Sequence, residues 1–360
     1  MTNDRVFNFS AGPSVMPESV LERAAREIMN YNASGMSVME MSHRSRVYQD
    51  IFDGAKQKLK AALSVPDTHE ILFLQGGATL QFAQIPMNLI RGKAADYAVT
   101  GNFAGKAARE AEKYGTVNVI YDSTSTGHDR IPAQSELKFS ENPEYFYYCA
   151  NNTIYGTEWQ YTPQAPCPVV CDMSSDILSR SVDVSKYGLI YAGAQKNMAP
   201  AGLTVVIIDR SLAGRELAYT PEIMSYKTMI EKDSMLNTPP CWCIYMLGLM
   251  LDWLEANGGV EGMAELRKER SAIVYDVLDN SSLFIPHAQR ASRSEMNVTF
   301  RTPSAELDAE FVKGAASRGL VNLKGHKLTG GLRASLYNAM PIEGALKLAE
   351  YMKEFEVSHV

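Results

Sequence analysis

The chain has 360 residues, 46% hydrophobic and 21% charged, with a formal net charge of −6 and an isoelectric point near 5.6. This is the composition of a soluble globular protein, and the length suits one large and one small domain better than a single compact one. The acidic balance argues against a nucleic-acid partner, and no apolar run approaches the ~20 residues of a membrane span. Met1-Thr2-Asn3-Asp4-Arg5 lacks the basic-then-apolar layout of a signal peptide. The five cysteines show neither the density of a disulfide scaffold nor zinc-ligand spacing. The expectation is a cytoplasmic protein with reduced thiols, no metal, and no nucleic-acid or membrane partner.

In chain order, residues 19–31 and 48–63 read as amphipathic helices. Residues 71–74 are a short apolar strand running into Gln75-Gly76-Gly77-Ala78-Thr79. A helix over 80–89 follows, which Pro86 should interrupt. Next come a strand over 97–100, a helix over 104–114, and strands over 117–121, 145–150, 169–171, 189–192 and 205–208. Strands alternating with helices mean an α/β domain with a largely parallel sheet, whose ligands bind at the carboxyl ends of the strands. Gly76-Gly77, Gly101-Asn102-Phe103, Asn152-Thr153, Asp172 and Lys196 all fall at such ends. An apolar helix over 241–256 is stopped by Asn257-Gly258-Gly259, which sets a domain boundary there. The remainder reads as a smaller α/β domain with a strand over 296–301, a helix over 304–318, a further strand, the Gly330-Gly331-Leu332-Arg333-Ala334-Ser335 segment and a last helix.

Lys196 lies in the small-residue loop Ala192-Gly193-Ala194-Gln195-Lys196-Asn197 between two apolar strands. Burial disfavours an ammonium, and a neutral lysine amine forms a Schiff base with a carbonyl. Upstream, Asp172 ends the run Cys167-Pro168-Val169-Val170-Cys171. A lysine amine plus an aspartate for a pyridinium nitrogen is the protein half of a pyridoxal phosphate site. A solvated lysine and a turn aspartate are the ordinary alternatives. Gly76-Gly77-Ala78-Thr79 lets backbone approach a phosphate at a helix N-terminus, or is a plain strand–helix turn. Phe103 can stack on a flat ring or fill a core, and Thr153 can bond a phenolic oxygen or cap a turn. Three cationic elements remain: Ser42-His43-Arg44-Ser45-Arg46, Gly325-His326-Lys327 and Arg333. Spread over both domains of an acidic chain, they point to an anionic substrate held between the domains. His43 and His326 have no metal-ligand spacing.

Several segments carry a resemblance: Phe7-Asn8-Phe9-Ser10-Ala11-Gly12-Pro13, Ser37-Val38-Met39-Glu40-Met41-Ser42-His43-Arg44, and Gly76 through Phe82. Tyr191 through Asn197, Asn237-Thr238-Pro239-Pro240, Gly325-His326-Lys327 and Gly330 through Ala339 extend it nearly end to end. The chain resembles the phosphoserine aminotransferase family of class V, fold-type I pyridoxal phosphate enzymes. The resemblance implies a large domain over 16–256 with a mainly parallel seven-stranded sheet, and a small domain of 1–15 with 257–360. It implies that Lys196 holds the cofactor and moves protons at the substrate α-carbon, with Asp172 on the pyridine nitrogen and Phe103 on the ring. Thr153 would bond the phenolic oxygen, and Ala78, Thr79 and Gln195 the cofactor phosphate. Asn237 and Thr238 would reach the neighbouring subunit's cofactor, so a homodimer is expected. Arg333 would take the α-carboxylate, and His43, Arg44, His326 and Lys327 the distal anion. Phe103, Thr79, Lys327 and Ala11 depart from residues common in the family (tryptophan, arginine, arginine and serine).

The implied reaction is amino transfer from L-glutamate to 3-phosphohydroxypyruvate, giving O-phospho-L-serine and 2-oxoglutarate. 4-Phosphohydroxy-L-threonine is a second substrate that the resemblance allows. A cysteine desulfurase would need a catalytic cysteine on a mobile loop, and no cysteine follows Cys243. Alanine–glyoxylate exchange has no use for the additional cationic clusters. A catalytically dead cofactor-binding protein is the alternative of another class, against which the full set of Asp172, Lys196 and Arg333 argues.

Overall fold

The computed structural model describes residues 5–360. Residues 1–4, which belong to the expected small domain and to the segment read for a signal peptide, lie outside the described residues. In chain order the first elements are β1 (Phe7–Asn8), α1 (Glu18–Glu27), α2 (Arg46–Ala62), β2 (His69–Leu74), α3 (Gly77–Leu89), β3 (Ala94–Val99), α4 (Asn102–Ala111) and β4 (Thr116–Asp122). They are followed by β5 (Phe146–Cys149), β6 (Asn151–Asn152), β7 (Thr157–Glu158), β8 (Val169–Asp172), β9 (Leu189–Gly193) and β10 (Thr204–Asp209).

Seven of these strands form one sheet in the order β2-β10-β9-β8-β5-β3-β4. All neighbours are parallel except β10, which runs against both β2 and β9. Successive side chains alternate between two cores, because strand residues point to opposite faces. Ile71, Phe73, Phe146, Tyr148 and Ile190 enter one core, with residues of α1 and α2. Leu72, Leu74, Tyr147, Val170 and Tyr191 enter the other, with α3 and α4. A sheet covered on both faces has strands that read as unbroken apolar runs, which is why they were visible in the sequence. Pro86 does not interrupt α3. It lies in the last turn with its ring buried, where it removes one backbone donor and the helix still reaches Leu89.

The chain continues through α5 (Tyr226–Glu231), α6 (Cys241–Ala256), α7 (Gly259–Asn280), β11 (Ile285–Pro286), β12 (Asn297–Arg301), α8 (Ala305–Ser317), β13 (Leu320–Val321), β14 (Leu332–Ser335) and α9 (Ile342–Val357). The antiparallel trio β11-β12-β14 backs a third core, in which Phe284, Phe300, Phe311 and Phe355 meet mainly edge to face. The N-terminal segment joins it: β1 pairs in parallel with β13, and Phe9 is fully buried there. Helix α7 bridges the cores, with Val260 and Met263 in the first and Val274, Val277 and Leu278 in the third. Its Arg270 donates to the carbonyls of Tyr337, Asn338 and Met340 at 2.9, 2.8 and 2.5 Å. Its Arg267 bonds Glu158 and, at 2.6 Å, Glu295. The Arg267–Glu158 pair is charged and buried, an arrangement that costs about 3–5 kcal/mol when one partner is removed.

Candidate active site

Lys196 lies in the turn after β9, half-buried. Its Nζ donates to Ser175 Oγ at 2.7 Å and to Thr153 Oγ1 at 3.2 Å, and those two hydroxyls are 2.6 Å apart. Thr153 follows β6 and Ser175 follows β8, so three separate strand ends converge on one amine. No carboxylate ion-pairs with it among the described residues. Hydroxyls satisfy the amine without fixing it as an ammonium salt, which suits a lysine that must attack a carbonyl.

Asp172, the last residue of β8, is buried and held at both oxygens. Oδ1 accepts from the Ser174 backbone at 2.9 Å and Oδ2 from the Tyr191 hydroxyl at 3.0 Å. The Tyr191 and Tyr147 hydroxyls are 2.8 Å apart. Burial, reinforced by the Asp172 charge, drives both phenols well above their ordinary pKa, so they stay protonated. Ser174 Oγ in turn accepts from the Gly193 backbone at 3.0 Å, tying β8's end to β9's.

The N-terminal segment closes over the lysine stem. Gly12 has φ +136°, and a Cβ there would stand 3.4 Å from Lys196 Cγ. Ser14 donates its backbone N–H to the Gln195 carbonyl at 3.0 Å, its hydroxyl bonds the Lys196 carbonyl, and the Tyr337 hydroxyl donates to the Ala11 carbonyl at 2.9 Å.

Gly76, at φ +90°, turns the chain from β2 into α3. A Cβ there would meet Leu80 at 2.4 Å, so the turn requires glycine. Ala78 and Thr79 occupy the first turn of α3, where backbone N–H groups have no partner within the helix. A helix end of this kind is suited to an anion. Gln75 donates to the Thr238 carbonyl at 2.7 Å, which brings the exposed Asn237-Thr238 pair beside it. Phe103 is half-buried in the first turn of α4, which starts two residues earlier than its periodicity suggested. A Cβ on Gly101 would meet Asn152 Oδ1 at 2.5 Å, so β3's end and Thr153's neighbour pack backbone to side chain.

Arg333, on β14, is largely withdrawn from solvent, and its Nε has no hydrogen-bond partner among the described residues. Burial lowers its pKa. A desolvated guanidinium lacking an acceptor is costly, and a carboxylate fits its fork. His326 Nδ1 accepts from the Leu328 backbone at 3.2 Å. Burial lowers the His326 pKa first, and the charges of Arg333, Lys327 and Lys106 lower it further. His43 is half-buried and Arg44 exposed, just before α2. Neither side chain makes a hydrogen bond or ion pair among the described residues, and neither is among the charges acting on His326.

The chain therefore gathers Lys196, Thr153 and Asp172 at adjacent strand ends and Arg333, His326 and Lys327 in a second group. Among the described residues no hydrogen bond or ion pair connects the side chains of His43 and Arg44 to either. Sequence reasoning missed Ser175, Ser174 and Tyr191. Their only signal was position: two serines two and three residues after Asp172 and a tyrosine two residues before Gly193. The donor set fits pyridoxal phosphate: an unpaired lysine amine, an oriented buried carboxylate, a hydroxyl for the phenolic oxygen and a glycine-turn cradle for the phosphate.

Residues 6–348 match the family described as Aminotransferase class-V. A phosphoserine aminotransferase of Desulfotalea psychrophila is 47% identical over 357 residues, which cover 99% of each chain. The chain belongs to the phosphoserine aminotransferase family. The solved phosphoserine aminotransferase of Bacillus circulans subsp. alkalophilus superposes with a TM-score of 0.97 at 42% identity, covering 99% of this chain and 100% of that one. A pyridoxal phosphate-bound phosphoserine aminotransferase from Trichomonas vaginalis gives 0.94 at 40% identity, with 97% and 100% covered. Membership makes this chain a class-V aminotransferase, and the fold expected for phosphoserine aminotransferases, with its seven-stranded sheet, is present.

Proposed function

We propose that the chain transfers the amino group of L-glutamate to 3-phosphohydroxypyruvate, yielding O-phospho-L-serine and 2-oxoglutarate. The observation that carries this reading is the Lys196 amine on the Thr153–Ser175 hydroxyls at strand ends next to the buried Asp172. Bound pyridoxal phosphate supplies a carbonyl for amines and a conjugated ring that takes up the electron pair released at the substrate α-carbon. Lys196 removes and returns the proton at that carbon. Ser175 and Thr153 hold its amine ready. Asp172, fixed by Tyr191 and Ser174, accepts the ring N–H, and Phe103 covers the ring. The N-terminal turn of α3 at Ala78 and Thr79, with Gln195, takes the phosphate.

Arg333 binds the α-carboxylate common to both amino acids. His326, Lys327, His43 and Arg44 hold the distal anion, phosphate or γ-carboxylate, so one pocket serves both half-reactions in turn. The chain acts as a homodimer, with Asn237 and Thr238 turned to the neighbouring cofactor. The isolation of His43-Arg44 within one chain supports their reaching the site from a second copy. Residues 16–256 form the large unit and residues 1–15 with 257–360 the small one, a division supported by the pairing of β1 with β13.

The test is the visible spectrum of the purified protein before and after adding O-phospho-L-serine without an oxo acid. Bleaching of a yellow band is expected. A yellow protein indifferent to phosphoserine but bleached by alanine would discard the substrate, and a protein that takes up no cofactor would discard the reading.

A further inference from the structure

An open cleft of about 730 Å3 separates α3 from α4, with Gly76, Thr79, Phe103, Lys106, Arg109 and Lys113 along its walls. Gly76 and Thr79 belong to the phosphate cradle and Phe103 to the ring face, but Lys106 has no role in the site described above. It follows Phe103 by three residues, so the two side chains share a face of α4. Its ammonium stands 5.9 Å from the centre of the Phe103 ring. Its charge also reaches His326, beside those of Lys327 and Arg333. Helix α4 and the segment before β14 are more than two hundred residues apart, yet the charge of Lys106 acts on His326.

None of them is neutralised. Among the described residues no carboxylate lies within ion-pair distance of Lys106, Lys327 or Arg333. Glu110, the carboxylate one turn beyond Lys106, is occupied by Lys113 at 2.9 and 2.8 Å. Lys106 and Lys327 are exposed and carry no counter-charge among the described residues, so both are free to meet an arriving anion.

We propose that Lys106 is a further substrate-binding residue, which contacts the distal anion beside Phe103 and favours a phosphate over a carboxylate. This rests on the function proposed above. A doubly charged phosphate gains more from a point-charge ammonium than a single carboxylate does, because the attraction scales with the product of the charges.

The experiment measures KM and kcat separately for O-phospho-L-serine and L-glutamate, and inhibition by inorganic phosphate, in wild type, Lys106→Gln, Lys106→Arg and Lys113→Gln. For Lys106→Gln we expect the phosphoserine KM and the phosphate inhibition constant to rise about 10-fold, the glutamate KM about 3-fold, and kcat to stay within about 2-fold, the signature of lost ground-state binding. Lys106→Arg should recover most of the loss, and Lys113→Gln, which frees Glu110 beside Lys106, should raise the phosphoserine KM in the same direction but by less than Lys106→Gln does. Unchanged phosphoserine KM and phosphate inhibition in Lys106→Gln would overturn the proposal, as would a rise shared equally by glutamate. So would a fall in kcat with lost cofactor content, which marks a structural role. A wild type that does not turn over phosphoserine fails the functional reading instead, whatever the variants do.

Discussion

The floor of the site and its rim are built on opposite principles. On the floor, Lys196, Ser175, Thr153, Asp172 and Tyr191 satisfy one another at fixed distances, on strand ends that the sheet holds in register. On the rim, no carboxylate among the described residues pairs with Arg333, Lys327 or Lys106, whose charges act on His326, and the side chains of His43 and Arg44 make no hydrogen bond or ion pair there. The floor does the same chemistry for every substrate, so it is preorganised by the fold. The rim is completed only by what it binds, so its polar groups remain unsatisfied. Such groups carry selectivity, because a ligand that fails to pair them leaves them desolvated and alone.

The contrast predicts different kinetic signatures. In the proposed function Lys196 carries the proton, so in Lys196→Ala kcat should fall by about 10²–10⁴-fold or more in both half-reactions. Retention of even a tenth of wild-type turnover, measured in single turnovers by absorbance, would show that the floor has another base. Arg333→Gln removes a fork but no proton carrier. The loss of a charge-assisted pair of about 1.5–3 kcal/mol should raise KM for both amino acids about 10- to 100-fold. A pure kcat effect there would break the division between floor and rim.

Sequence alone showed much of the floor and little of the reason it works. The buried strands announced themselves as apolar runs, and Cys241–Ala256 was bounded correctly because Pro239-Pro240 precedes it and Asn257-Gly258-Gly259 ends it. Placing Asp172 and Lys196 at strand ends needed only that alternation. The two-residue strand β1 was not legible, since two residues carry no period, and neither was its pairing with β13, which joins opposite ends of the chain. Tyr191 was visible only as part of a strand and a motif. That it points at Asp172 depends on the register of β8 against β9, where Asp172 pairs with Tyr191. Ser175 looked like any turn serine until the amine of Lys196 was found 2.7 Å from it. The resemblance named roles for the rim residues, but spacing could not say which of them a single chain brings together.

Tyr191→Phe isolates the part that was illegible. It deletes one hydroxyl on the Asp172 carboxylate and leaves the ring and the packing of the sheet face in place. The lost bond to a charged group is worth about 1.5–3 kcal/mol, so kcat should drop about 10- to 100-fold, with KM little changed. The cofactor's visible band should shift in its pH dependence, since the carboxylate facing the ring nitrogen is less firmly held. A change in stability alone, read by thermal denaturation without any spectral change, would reduce Tyr191 to a core residue.

The smallest effect belongs to His326 and tests whether the rim is strained before substrate binds. Burial and three nearby cations hold its pKa below the ordinary histidine value. The unfolded chain keeps the ordinary value of about 6.5, so between the two values it binds more protons than the folded chain. This contribution to stability is intact above about pH 7 and is lost as pH falls through 6.5 toward the folded value. His326→Asn carries no such charge, so its melting temperature should fall less than the wild type's between about pH 7.5 and pH 5.5. A bound phosphate supplies the missing counter-charge and favours protonated His326. Inorganic phosphate should therefore erase the difference between the two proteins, and binding should take up protons below the ordinary histidine value. If the two melting curves stay parallel with and without phosphate, His326 does not sense the rim's charge, and the rim is a set of independent side chains rather than one anion site.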